Sequence, residues 1–202
     1  MDLTEVKFID LAAAPEMTIK KMADLYCAIW KEPPWNEYFW TVEGVLEDIG
    51  EQMKIPLAKG FIATYKRGPW GCEVWGIDVP EHIMNDDHVE PIGFTFGYEV
   101  TASDLQRISG VADDIWEQII GTKRTFYIDE LAVYERHRRL GIGEELTRKL
   151  LSCMPNFGVR CVTLRTDVRA DAARHLYRKV GFEELPIIDA EYPDRTYWLL
   201  LI

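Results

Sequence analysis

Residues 125–180 constrain the fold more than any other part of the chain. A β-branched, aromatic run over residues 125–134 enters a turn holding Gly141 and Gly143. A helical pattern follows, with Ile142, Leu146, Leu150 and Cys153 at steps of three and four until Pro155 halts it, with Gly158 just beyond. A second strand run over residues 161–166 leads to a second helix over residues 171–180, with Ala173, Leu176 and Val180 inward. Strand, helix and strand in this order predict a parallel crossover, because parallel neighbours must be joined over the face of the sheet. Such units take ligands at the carboxyl ends of their strands, which directs attention to residues 130–143.

The rest of the chain reads as mixed structure. A weak strand pattern covers residues 6–9. The spacing of Ile19, Met22, Tyr26 and Ile29 predicts a helix that Pro33 and Pro34 forbid from continuing past about Trp30. Thr41 is placed to cap a second helix carrying Val42, Val45, Leu46, Ile49 and Met53, closed by Pro56. Between them lies an aromatic loop, Trp35-Asn36-Glu37-Tyr38-Phe39-Trp40. Residues 60–66 and 92–100 read as antiparallel strands joined by a long piece, residues 67–91, rich in Trp and acid and read as a flap or an excursion. Residues 101–123 read as a helical insertion capped at Ser103, and residues 182–188 and 196–201 as closing strands. With no repeat or linker in view, the expectation is one domain over residues 1–202 with insertions at about 67–91 and 101–123.

Charge narrows the partners. The net charge of −11 argues against nucleic acid, since phosphate-backbone binding draws on a surplus of Lys and Arg. The distribution is uneven: residues 136–179 hold eleven basic and four acidic side chains, so this part is +7 and the remainder −18. No apolar run approaches the roughly 18 residues of a membrane span, and the first residues lack the pattern of a secretory signal. Cys27, Cys72, Cys153 and Cys161 show no paired metal-ligand spacing, so the expectation is a cytoplasmic protein with no metal.

At residues 138–143 the physics is specific. A helix start leaves N–H groups unpaired and carries partial positive charge, and two glycines let backbone approach an anion closely, with Arg136, Arg138 and Arg139 adding charge. A lone Gly-x-Gly is weak, and as often marks mere backbone geometry. The nucleotide-hydrolase loop is excluded because no Gly-Lys-Ser/Thr follows. The dinucleotide pattern is excluded because Leu146 stands where it needs a third glycine.

Three stretches, Asp129-Glu130-Leu131-Ala132-Val133, the turn from Arg138 to Gly143, and Leu176-Tyr177-Arg178-Lys179-Val180-Gly181-Phe182, resemble the GNAT superfamily of N-acetyltransferases. The resemblance is strong over residues 125–182, fair to the last residue and only architectural before residue 60. It implies an α/β fold: a mixed, mostly antiparallel sheet with a central splayed parallel strand pair and flanking helices. It implies acetyl-CoA as cosubstrate, with its pyrophosphate on the main chain of Arg139, Leu140, Gly141, Ile142, Gly143 and Glu144, and with Arg138 and Arg178 beside it. Leu131, Ala132 and Val133 would pair with the pantetheine arm like an extra strand, and a backbone N–H near Leu131 or Ala132 would face the developing oxyanion. Tyr177 matches the family's tyrosine that protonates the leaving thiolate. Ala170 departs from the family, which usually has Asn there.

The attacking amine must lose a proton before it can add to a thioester. Glu130 is the first candidate to receive it, directly or through water, and Asp167 the second; strict alternation along a strand would turn Asp129 to the other face. Trp35, Glu37 and Tyr38 are candidates to seat a cationic amine among aromatic faces and acid. The leading expectation is therefore acetyl transfer to a small cationic amine, polyamine or aminoglycoside-like, in a ternary complex. Acetylation of a protein N-terminus or lysine, and a catalytically inactive acyl-CoA sensor, are the alternatives. Neither nucleic acid nor membrane is expected as a partner, and a homodimer is left open.

Overall fold

The computed structural model describes residues 6–66, 89–189 and 191–202, and most of the acidic, Trp-bearing stretch read as a flap lies outside them. Seven strands form one sheet: β1 (Lys7–Asp10), β2 (Lys59–Lys66), β3 (Val89–Val100), β4 (Thr125–Val133), β5 (Cys161–Asp167), β6 (Glu183–Glu184) and β7 (Arg195–Leu201). Their spatial order is β1-β2-β3-β4-β5-β7-β6. Every pairing is antiparallel except β4 with β5, so the crossover expected from residues 125–166 is the central parallel pair.

Helices α1 (Glu16–Trp30) and α2 (Val42–Gln52) cover one face, and α5 (Ile142–Cys153) covers the other. The alternation of β2 shows how: Ile62 packs with Met22, Tyr26 and Val45, while its neighbour Ala63 packs with Ile142 and Leu146. The Thr41 hydroxyl accepts from the Gly44 N–H and caps α2 as expected. Helix α6 (Asp171–Val180) packs Tyr177 with Phe126, Leu164 and Trp198.

The insertion after β3 is two helices rather than one, α3 (Ala102–Ser109) and α4 (Asp113–Ile120). Gly110 adopts φ +65° and ends the first. The cap is Thr101, in a reciprocal box with Asp104, and not Ser103. Trp116 anchors the pair: its ring is fully buried against Tyr197, and its indole N–H donates to the Ser109 hydroxyl at 3.1 Å. Residues 182–188 give only the two-residue β6, because Pro186 interrupts the run and the segment ending at Asp189 is held by side-chain bonds instead: the Tyr197 hydroxyl and the Glu191 and Tyr192 N–H groups all donate to the Asp189 carboxylate.

One irregularity matters for the site. Phe96 pairs with Glu130 and Gly97 with Ile128, so Asp129 is an extra residue, a bulge in β4 opposite the Phe96–Gly97 step. Gly97 is what allows it: a Cβ there would lie 2.0 Å from the Tyr127 carbonyl oxygen. Gly97→Ala is accordingly expected to destabilise the fold by about 3 kcal/mol and to lower Tm by about 6–12 °C in a thermal melt.

Candidate active site

Strands β4 and β5 pair from Thr125–Cys161 to Ile128–Leu164 and then part. Beyond that point β4 runs on beside β3 to Val133, and β5 runs on beside β7 to Asp167. The wedge between them opens into a cleft of about 1030 Å³, lined on one lip by Asp129, Glu130, Leu131, Ala132 and Val133 and on the other by Arg165 and Thr166. The bulge is where the strands separate, so both features have one cause.

The start of α5 faces this cleft. Arg139 adopts φ +62° and Gly141 φ +83°, left-handed conformations that turn successive N–H groups toward one side and form an anion-binding concavity. The first amide of the turn region bonded within the chain is that of Glu145, to the Gly141 carbonyl at 3.0 Å. The amides of Arg139, Leu140, Gly141, Ile142, Gly143 and Glu144 donate to no other described residue, and no side chain caps the helix. Arg139, Gly141, Ile142, Gly143 and Glu144 line the cleft, whereas Leu140 turns into the core beside Ile142. Arg138 lines it too, but its guanidinium is held by the Val133 carbonyl at 2.9 Å and by Glu32. Arg139 has no acidic partner among the described residues, so it is the arginine free to meet an anion.

At the inner end of the cleft stand Asp129, Glu130 and Tyr177. The Tyr26 hydroxyl donates to Glu130 Oε1 at 2.8 Å. Gln52 Nε2 and the Tyr98 hydroxyl donate to Asp129 Oδ2 at 2.8 and 3.2 Å. Burial, reinforced by the charge of Asp129, raises the Glu130 carboxyl well above its ordinary range against the opposing bond from Tyr26. Burial also pushes Asp129 up to about 6, against the bonds from Tyr98 and Gln52. Burial and the charge of Glu130 raise the Tyr177 hydroxyl, which keeps its proton at neutral pH.

The other residues singled out in the sequence are distributed as follows. Trp35 lines the cleft, stacked on Trp30 at 6.1 Å with the Arg195 guanidinium 4.6 Å from its ring centre. Glu37 accepts from the Trp40 indole N–H at 2.7 Å, and Tyr38 is 70% exposed; neither lines the cleft. Asp167 is also outside it, because Arg169 grips it through two side-chain bonds at 2.8 and 2.7 Å and a backbone bond at 2.8 Å. That bonding holds its carboxyl below the ordinary range, so it is an anchor before α6 rather than a group open to the cleft. Arg178 points to Glu184 and the Trp198 ring, away from the cleft. Helix α6 starts after Ala170 with no side-chain cap, while Arg174 bonds the Val168 carbonyl at 2.9 Å.

Asp129 is the main residue that sequence reasoning turned the wrong way. Strict alternation points it to the opposite face, and the bulge brings it to the same cleft as Glu130. The signal was Gly97 inside a strand pattern, since a strand glycine marks a bulge or a close backbone approach. Tyr26, Gln52 and Tyr98 were equally hidden, because only the packing of α1, α2 and β3 brings them to the two acids.

A stability consequence follows. An acid whose folded pKa is raised favours the neutral form in the fold. As pH climbs from about 4 to about 6, the unfolded chain gives up this proton first and stability falls, and the cost is fully present above that window. Asp129→Asn should therefore stabilise the protein by about 1–2 kcal/mol at pH 8 and by almost nothing at pH 4, read as the difference in Tm from the native chain.

Comparison with known proteins meets this geometry from outside. The chain is 37% identical over 62 residues to N-alpha-acetyltransferase 30 of Schizosaccharomyces pombe, a match covering 31% of this chain and 41% of that protein. The curated relative is thus matched over less than half its length. Arabidopsis thaliana NAA60 in complex with acetyl-CoA has the same fold, at TM-score 0.64 and 16% identity over 98% of both chains. Spermidine N-acetyltransferase of Vibrio cholerae in complex with CoA and spermine superposes at TM-score 0.58 and 14% identity, over 98% of this chain and 96% of that one. The model of the acetyltransferase (GNAT) family matches residues 75–182, more than half of the sequence, and the chain belongs to that family.

Proposed function

We propose that the protein transfers an acetyl group from acetyl-CoA to a primary amine in a ternary complex, and that the acceptor is a small cationic molecule, polyamine or aminoglycoside-like. The observation that carries this reading is the row of amides from Arg139 to Glu144, unpaired among the described residues at the mouth of a wedge between two strands. A pyrophosphate satisfies those donors and meets the positive end of α5, and Arg139 adds a charge-assisted bond. The edge of β4 at Leu131, Ala132 and Val133 on the side away from β3, unpaired among the described residues, suits the amide groups of the pantetheine arm. This carries the thioester inward toward Tyr177.

At that end, Tyr177 gives its proton to the departing sulfur and the acid pair in the cleft takes up one proton of the amine. Asp167 and Arg178 have no part in this reading, since both are committed elsewhere. Small cations are supported by the acids Asp129 and Glu130 that line the cleft. A second reading, acetylation of a protein α-amino group, is favoured by the sequence match to an N-alpha-acetyltransferase. The inactive-sensor reading is disfavoured by Tyr177 and Glu130 standing together in the cleft.

Calorimetry with CoA tests the cosubstrate. Gly141→Asp should weaken binding by about 100-fold or more, about 2.7 kcal/mol, because its carboxylate occupies the phosphate's place. Gly141→Asn, which bears the same left-handed backbone cost without the charge, should lose far less; equal losses would contradict the site. Thiol release across polyamines, aminoglycosides and peptide N-termini tests the acceptor. Tyr177→Phe should lower kcat by about 10²–10⁴-fold with CoA affinity kept, and turnover confined to peptides would select the second reading.

A further inference from the structure

Asp129 and Glu130 are consecutive in a strand, yet the bulge lets both line the cleft. Neither is paired with a Lys, Arg or His among the described residues, whereas Asp10, Glu32, Glu99, Glu144, Asp167 and Glu184 all are. Their hydrogen bonding differs. Asp129 accepts two donors on one oxygen, Gln52 Nε2 and the Tyr98 hydroxyl, and Glu130 accepts one, the Tyr26 hydroxyl. Donors stabilise an anion in proportion to their number, and two neighbouring, half-buried carboxyls do not both ionise cheaply. The bonding therefore favours the negative charge on Asp129 and a proton on Glu130.

We propose that Asp129 is a second catalytic carboxylate, carrying the single negative charge of an Asp129–Glu130 pair, docking the protonated acceptor amine and taking its proton, while Glu130 holds the pair's own proton. This rests on the transferase reading above. In the step, an N–H bond of the ammonium breaks and an O–H bond forms on Asp129. The freed lone pair adds to the thioester carbon, and the C–S bond then breaks. The thiolate takes the Tyr177 proton, and the second proton shed by nitrogen as the amide forms replaces it. One proton is left on Asp129 and passes to solvent, which closes the balance.

The groups that bias the pair come from every element around it: Tyr26 on α1, Asp48 on α2, Glu37 in the loop before α2, Tyr98 on β3, Tyr127 on β4, Arg165 on β5 and Tyr177 on α6. The electrostatics are compatible with this: burial pushes Asp129 up to about 6, against the bonds from Tyr98 and Gln52, and raises Glu130 well above its ordinary range, with the charge on Asp129 adding to the rise.

The test follows the carboxyl carbons of the ligand-free protein by NMR through a pH titration, alongside pH profiles of kcat/KM on the best amine found. Asp129 should ionise first, and Asp129→Asn should bring the Glu130 midpoint down by about one unit or more. Tyr98→Phe removes one donor and leaves both acids in place. It should raise the Asp129 midpoint and carry the acid limb of kcat/KM up with it. Asp129→Asn should cost more in kcat/KM than Glu130→Gln. Glu130 ionising first, or an acid limb that stays fixed while the Asp129 midpoint moves, would overturn the proposal. A native protein that turns over no amine would count against the transferase reading itself, and the titration order would then decide the pair alone.

Discussion

The parting of β4 from β5 after Ile128 is the constraint on which the site depends. Four registered pairs hold the strands together, and the extra residue at Asp129 then shifts the pleat of β4 so that it leaves its parallel neighbour while keeping β3. Gly97 makes room for that shift. From it follow the wedge that a ligand can enter, the edge of β4 left without a neighbouring strand, and two adjacent acids turned to one cleft. The helix start at Gly141 borders the same wedge, so its unpaired amides and the carboxyls line one space.

That arrangement sets stability against chemistry. Acids in the cleft with no salt-bridge partner among the described residues cost folding free energy once ionised, and the chain keeps them. Six amides at a helix start are unpaired among the described residues and left to solvent or a ligand. Around them the charges are well matched: Asp167 with Arg169 before α6, Glu184 with Arg174 and Arg178, and Glu144 with Arg148 and Lys179. The two acids with no salt-bridge partner and the unpaired amides thus line one cleft, beside these matched pairs.

What could be read from the sequence was local. The crossover, the helix after Gly141 and the cap at Thr41 each depend on neighbours a few residues apart, and periodicity or side-chain chemistry reports them directly. The +7 segment is legible as a number but not as a site, because most of its cations pair with nearby acids, and among the described residues only Arg139 of its arginines stands in the cleft with no acid beside it. The bulge was not legible, since it is a property of how β3 and β4 register across some thirty residues. The division of α3 from α4 was missed because an apolar period continues past Gly110, where the backbone turns left-handed. The donors Tyr26, Gln52 and Tyr98 come from three separate elements, and nothing in their local sequence points to the acids they serve.

The central claim, that the exposed amides before and within the first turn of α5 hold the diphosphate of CoA, is tested most directly by amide chemical shifts of the labelled protein during a CoA titration. Large downfield proton shifts are expected for Gly141, Ile142, Gly143 and Glu144, reproduced by CoA lacking its sulfur and absent with pantetheine alone. Shifts that leave these four amides in place while others respond to CoA would contradict it.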